Sequence, residues 1–160
     1  MIRTSRQLKD KVRNMSKSDS SRAALLIRNY GMERFLERVS LSRYKDNFIL
    51  KGGMLVSAMV GLENRATMDI DTTLRKMPLD TANAKRIVEE IITVPIDDNI
   101  RFEIKDVSNI MDEAEYGGVR LALDALLDTM RIPLNIDIST GDVVTPAAIN
   151  YRYKLMFEDR

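Results

Sequence analysis

The sequence contains no cysteine and no histidine. Those two absences exclude thiol catalysis, disulfide bonds, the usual zinc sites and every triad built on an imidazole. An enzyme made from this chain must work with carboxylates, lysines, hydroxyls and hard metal ions, and hard cations such as Mg²⁺ take oxygen ligands. Nor is there an apolar run approaching the roughly 20 residues of a membrane helix, and the polar, basic N-terminus lacks the apolar core of a signal peptide. No membrane association and a cytoplasmic location are therefore expected. No internal repeat or low-complexity tract interrupts the chain.

What remains is 160 residues, 44% apolar and 31% charged, the profile of a globular protein with one ordinary core. The formal net charge is +1, but residues 1–45 carry 12 Lys/Arg against 4 Asp/Glu and the remainder 13 against 20. A basic N-terminal face of this kind attracts phosphate-bearing partners, or is simply a solvated pair of helices. It lacks the interleaved aromatics of a base-stacking surface.

Apolar spacing predicts a short helix over residues 4–15, with Leu8, Val12 and Met15 on one face, and a second running to about Val39 behind N-caps offered by Asp19, Ser20 and Ser21. Asn47–Leu50 reads as a strand ended by Gly52-Gly53, Met54–Val60 as a buried helix with Gly61 as its C-cap, and Met68–Leu74 as an alternating strand. A helix over 81–93 follows Pro78 and Asp80. Asp97-Asp98 reads as a turn and Arg101–Val107 as a strand, with Phe102, Ile104 and Val107 as its apolar members. Val119–Leu127 alternates and is expected to be a strand, although it also fits a helix. Ile132–Ser139 is a strand, joined to the previous one by a somewhat longer loop over 128–131. The expected class is α+β: a mixed sheet flanked by helices, with residues 1–45 as an N-terminal basic helical segment and 46–160 as the core of a single compact domain.

Side chains alternate faces along a strand, so Asp69 and Asp71 share one face and Ile70 takes the other. Aspartate is disfavoured in strands, and two like charges this close raise each other's pKa; a divalent cation between them reverses that cost. A plainer arrangement also fits, with the pair exposed on an edge strand. Asp137, set between Ile136 and Ile138, would complete a three-carboxylate metal site on a shared sheet face, or lie on a solvated face of its own. Gly52-Gly53, between a strand and a helix, allows close backbone approach to an anion at a helix start, with Lys51 as an adjacent point charge.

Together, Phe48 to Leu55 (FILKGGML) and Arg65 to Asp71 (RATMDID) resemble the signature of the AbiEii/AbiGii-type nucleotidyltransferase toxins, within the DNA polymerase beta-like nucleotidyltransferase superfamily. Tyr116 to Arg120 (YGGVR), Ile132 to Ser139 (IPLNIDIS) and Gly141 to Pro146 (GDVVTP) are also similar to that family. The resemblance spans roughly residues 20–155. It implies a nucleotidyltransferase-like mixed sheet and transfer of a nucleotidyl group from an NTP to an acceptor hydroxyl, with RNA or tRNA as acceptor and a separately encoded antitoxin as protein partner in a toxin–antitoxin or phage-defence system. It implies two Mg²⁺ ions at Asp69, Asp71 and Asp137, with Asp137 on the ion nearest the acceptor and available as a general base. Phosphate contacts fall to Gly52 and Gly53, and with them Lys51, Arg65 and Thr67 are the nucleotide-binding candidates.

Two departures qualify what the resemblance implies. Met54 stands where relatives often have a small hydroxyl residue, and the sequence stops soon after Tyr151–Lys154, where relatives continue into a helical region with a further lysine and carboxylate. The alternative expectations are a truncated, non-catalytic domain that binds nucleotide or antitoxin, an antibiotic nucleotidyltransferase, and an RNA-binding helical module that uses the basic N-terminus.

Overall fold

The computed structural model describes residues 2–51, 69–110, 118–140 and 155–157. Helix α1 (Ser5–Ser16) opens with a capping box: the Gln7 N–H donates to Thr4 Oγ1 at 3.1 Å, and the Thr4 N–H donates to Gln7 Oε1 at 3.2 Å. It buries Leu8 and Val12 and ends on Lys17 in the left-handed region, φ 52°. Of the apolar face expected for this helix, only Met15 stays exposed. Asp19 caps helix α2 (Ser20–Leu41), accepting from the Ser21 and Arg22 N–H groups. Helix α3 (Thr81–Ile92) is capped by Asp80, which accepts from the Asn83 N–H at 2.7 Å, and it buries Ala84, Ile87, Val88 and Ile91 along one stripe.

Among the described residues, five strands form one mixed sheet: β1 (Phe48–Lys51), β2 (Asp69–Leu74), β3 (Ile100–Ile110), β4 (Gly118–Leu127) and β5 (Met130–Ser139), in the order β1-β2-β5-β4-β3. Only β2 and β5 run parallel; the other neighbours are antiparallel. The stretch 119–127, expected as a strand with a helix as the alternative, is strand β4, and its polar members Arg120 and Asp124 pair in register with β5. Its link to β5 is shorter than expected. Leu127 pairs with Met130, so the turn is Asp128 and Thr129 alone, with Asp128 at φ 53°; aspartate tolerates that conformation better than most residues.

Strand β3 extends beyond the expected 101–107. Its apolar residues Phe102, Ile104 and Val107 are spaced two then three apart, and a register shift between Ile104 and Asp106 restores the phase. All three therefore pair with the same-face residues Ala125, Leu123 and Leu121 of β4.

One face of the sheet is apolar: Ile70, Leu121, Leu123, Ala125, Ile132, Leu134, Ile136 and Ile138 are all buried. Helix α2 packs against β5 here, and α3 against β3 and β4. The approach of α2 is close enough that a Cβ on Gly31 would stand 3.2 Å from both Ile132 Cγ2 and Leu134 Cδ2. Arg38, on the same helix, donates both ends of its guanidinium to the buried Asp98 carboxylate at 2.9 Å, and also to the Ile100 carbonyl at 3.0 Å. The opposite sheet face carries the polar alternates, and there the carboxylates singled out in the sequence are found.

Candidate active site

Four of the sequence-predicted site residues, Lys51, Asp69, Asp71 and Asp137, meet on the polar face. The parallel pairing sets Asp71 directly opposite Asp137, and Asp69 opposite Asn135. On the other side of β2, antiparallel β1 sets Lys51 opposite Asp71. On the other side of β5, β4 sets Arg120 opposite Asp137. Lys51, Asp71, Asp137 and Arg120 thus form one row across four strands spaced about 4.7–4.9 Å apart, with Asp69 one pleat along from Asp71. The two carboxylates at the centre are flanked by a cation at each end. Strand β2 is interior, between β1 and β5, so the exposed edge-strand arrangement does not describe this pair. In the interior of the sheet, two adjacent aspartates carry a cost that an edge would relieve through solvent.

The electrostatics of the row reflect that cost. Burial first, and then the charges of Asp137 and Asp69, push the Asp71 carboxyl above the usual carboxylate range, against the opposing pull of Lys51 and Arg120. Asp137 is engaged from the β4 side. Arg120 Nε donates to its Oδ1 at 2.7 Å and Nη2 to its Oδ2 at 2.8 Å, a two-pronged pair. The same Nη2 lies 3.7 Å from Asp69 Oδ2, and Asn135 Nδ2 donates to Asp69 Oδ1 at 3.2 Å. The pairing with Asp137 raises the Arg120 pKa further, so its charge is fixed. Lys51 Nζ donates to Ser139 Oγ at 2.8 Å, and Thr72 Oγ1 donates to the Asp137 carbonyl at 3.2 Å, tying β2 to β5 beside the site.

The donor set suits a hard cation. Three carboxylates share one face, and the central one already experiences excess negative charge from the other two. Among the described residues, however, no three acidic groups converge as a ready-made metal site, and both oxygens of Asp137 are taken by Arg120. Gly52, Gly53, Arg65 and Thr67, the remaining phosphate-binding candidates, lie outside the described residues, as do the expected 54–60 helix and its Gly61 cap.

Sequence reasoning passed over Arg120, Asn135 and Ser139 as site residues. The signal for all three was available in part. Alternation along β4 and β5 puts them on the face of Asp137, but only the register shows that Arg120 is its direct neighbour.

The family model described as nucleotidyl transferase AbiEii toxin, type IV TA system, matches residues 34–160. No curated protein matches the chain. The chain is similar to two solved structures from Helicobacter pylori. One, provisionally described as a nucleotidyltransferase, is 16% identical, with a TM-score of 0.50 over 79% of this chain and 50% of that one. The other, JHP933, is 19% identical, with a TM-score of 0.47 over 76% of this chain and 46% of that one. The chain therefore spans about half the length of these two structures. The fold is the nucleotidyltransferase-like mixed sheet anticipated from the sequence, and with the family match covering most of its length, the chain belongs to the AbiEii family of nucleotidyl transferase toxins of type IV toxin–antitoxin systems.

Proposed function

We propose that the chain carries a Mg²⁺-dependent nucleotidyltransferase site that moves a nucleotidyl group from an NTP to an acceptor hydroxyl, with RNA, and tRNA first, as the acceptor. The observation that carries this reading is the Asp71–Asp137 cross-strand pair with Asp69 one pleat away. Such crowding of like charges has a use where a divalent cation is to be held. Asp69, Asp71 and Asp137 would hold the metal. When bound, divalent ions lower the pKa of the acceptor hydroxyl and stabilise the leaving pyrophosphate.

The residues of the chain do the remaining work. In the transfer, the acceptor oxygen forms a bond to the α-phosphorus as the α–β bridging P–O bond breaks and pyrophosphate leaves. In this reading Asp137 serves as the general base, receiving the hydroxyl proton once Arg120 releases it. Lys51, opposite Asp71, offsets charge on the triphosphate, with Gly52, Gly53, Arg65 and Thr67 as further phosphate contacts. The family supports a cytoplasmic toxin held in check by an antitoxin partner. Among the described residues, no helix is long and apolar enough to cross a membrane.

The test is incubation with each labelled NTP and total RNA. Transfer of label to RNA is expected from the parent protein and is expected to fall at least about a hundredfold in the Asp69→Asn, Asp71→Asn double variant, where the carboxylate positioning is lost. Undiminished transfer in that variant would remove the reading. Mg²⁺-dependent NTP binding with no labelled product on any acceptor would replace it with a binding domain that does not turn over.

A further inference from the structure

The best-formed contact at the site belongs to a residue that the metal reading does not use. Arg120 places a planar fork across both oxygens of Asp137 at 2.7 and 2.8 Å and reaches to 3.7 Å from Asp69. A cation at this position neutralises two of the three carboxylates that a metal ion would require. The side chain of Arg120 is 44% exposed, so it is held by these carboxylates rather than by surrounding packing. The cation at the other end of the row, Lys51, is anchored to Ser139. Arg120 is thus the half-exposed charge of the row, and its five-donor fork matches a phosphate as well as it matches a carboxylate.

We propose that Arg120 is a built-in counter-cation that occupies Asp137 and Asp69 while the site is empty, and that it transfers to the triphosphate when metal and nucleotide arrive together. This inference rests on the nucleotidyltransferase reading and adds an order of events to it. A metal ion alone must displace the fork from Asp137 and leave the guanidinium without a partner, so it binds weakly. A metal–NTP complex brings an anion to which the fork can move. Metal and nucleotide therefore bind cooperatively, and Arg120 is the residue that couples them.

The experiment compares the full chain with its Arg120→Gln and Arg120→Lys variants, using Mn²⁺ as the metal probe by calorimetry or electron paramagnetic resonance, alone and with each of the four NTPs. Without nucleotide, R120Q is expected to bind Mn²⁺ roughly tenfold tighter than the parent, and R120K, which keeps the charge but loses the fork, to fall between them. Mn²⁺ should raise the melting temperature of R120Q by more than it raises that of the parent. With Mn²⁺ saturating, NTP affinity should fall in R120Q. A merely structural ion pair predicts the opposite: R120Q would lose stability that Mn²⁺ does not restore.

Mn²⁺ affinity in R120Q equal to or weaker than in the parent would overturn the proposal. Tighter metal binding with unchanged NTP affinity would overturn the transfer to phosphate. The Asp71→Asn variant separates this failure from failure of the underlying reading. If D71N loses Mn²⁺ binding while R120Q matches the parent, the metal site stands without the coupling. If neither the parent nor R120Q binds Mn²⁺ with or without NTP, both fall.

Discussion

The carboxyl of Asp71 lies between two like charges, Asp69 on its own strand and Asp137 across the parallel ladder, and burial together with those neighbours raises its pKa. The sign of the consequence follows from linkage. An acid whose folded-state pKa lies above its unfolded value binds more protons folded than unfolded, so its ionised form costs stability at pH values above the raised pKa. A neutral isostere removes that cost. Asp71→Asn is therefore expected to raise the melting temperature at pH 7–8 in chelator by roughly 1–2 °C, the group being exposed enough for solvent to screen much of the interaction. The gain should shrink as pH falls and Asp71 protonates. Differential scanning fluorimetry at several pH values reads it, and a lowered melting temperature at pH 8 would contradict the assignment. At this scale the sequence was informative about faces and silent about neighbours. Period-two alternation put Asp69 and Asp71 on one face, whereas the meeting of Asp137 with them and with Arg120 depends on how β5 is set against β2 and β4.

Among the elements, those with a single clear period were legible: α3, with Ala84, Ile87, Val88 and Ile91 on one stripe, and β5, with its strict alternation. Those whose pattern is altered or ambiguous were legible in type but not in detail. Strand β3 is expected over 101–107, but the bulge between Ile104 and Val107 and the extension to Ile110 are not visible in its spacing. The stretch that forms β4 is so apolar that both periods fit. The Asp97-Asp98 turn conceals the sharpest contrast. The Asp97 side chain is 78% exposed and paired with Arg3, while Asp98 is fully buried between Arg38 at 2.9 Å and Arg34 at 3.6 Å. Nothing in two adjacent aspartates distinguishes them before the helix that covers one is in place.

That burial gives an element-scale prediction. Asp98 joins the C-terminal half of α2 to the start of β3, accepting from Arg38 and from the Ile100 N–H. Asp98→Asn leaves the buried Arg38 guanidinium without its counter-charge, Arg34 keeping Glu37, and should cost on the order of 3–5 kcal/mol in urea unfolding. A cost below about 1 kcal/mol, the scale of a surface pair, would show that the network does not hold α2 to the sheet.

At the scale of the whole molecule, the segment 155–157 touches both α1 and α2. The Phe157 ring packs on Tyr30 with centroids 5.8 Å apart, and Lys11 of α1 lies over the same ring. The Met156 N–H donates to both oxygens of Glu33 at 3.1 Å, and Asn29 Nδ2 donates at 3.0 Å. Burial nevertheless raises the Glu33 carboxyl to about 7, outweighing those hydrogen bonds and the charge of Arg34. Between its ordinary value near 4.5 and about 7, the folded protein binds the proton that the unfolded chain has released. Stability from this group is therefore greatest below that window, declines as pH rises through it, and above it bears the full cost of a buried carboxylate. The bound on that cost is about 3 kcal/mol, from roughly 1.4 kcal/mol per pKa unit. Glu33→Gln keeps an oxygen for the Met156 N–H and cannot ionise. Relative to the parent, the variant should gain on the order of 1–3 kcal/mol between pH 5 and pH 8 in urea unfolding. The difference between the two proteins is the quantity to follow, because every other titrating group is common to both. A difference that stays flat across the window would mean that Glu33 is not buried as a neutral acid, and the docking of residues 155–157 on α2 would then need another anchor.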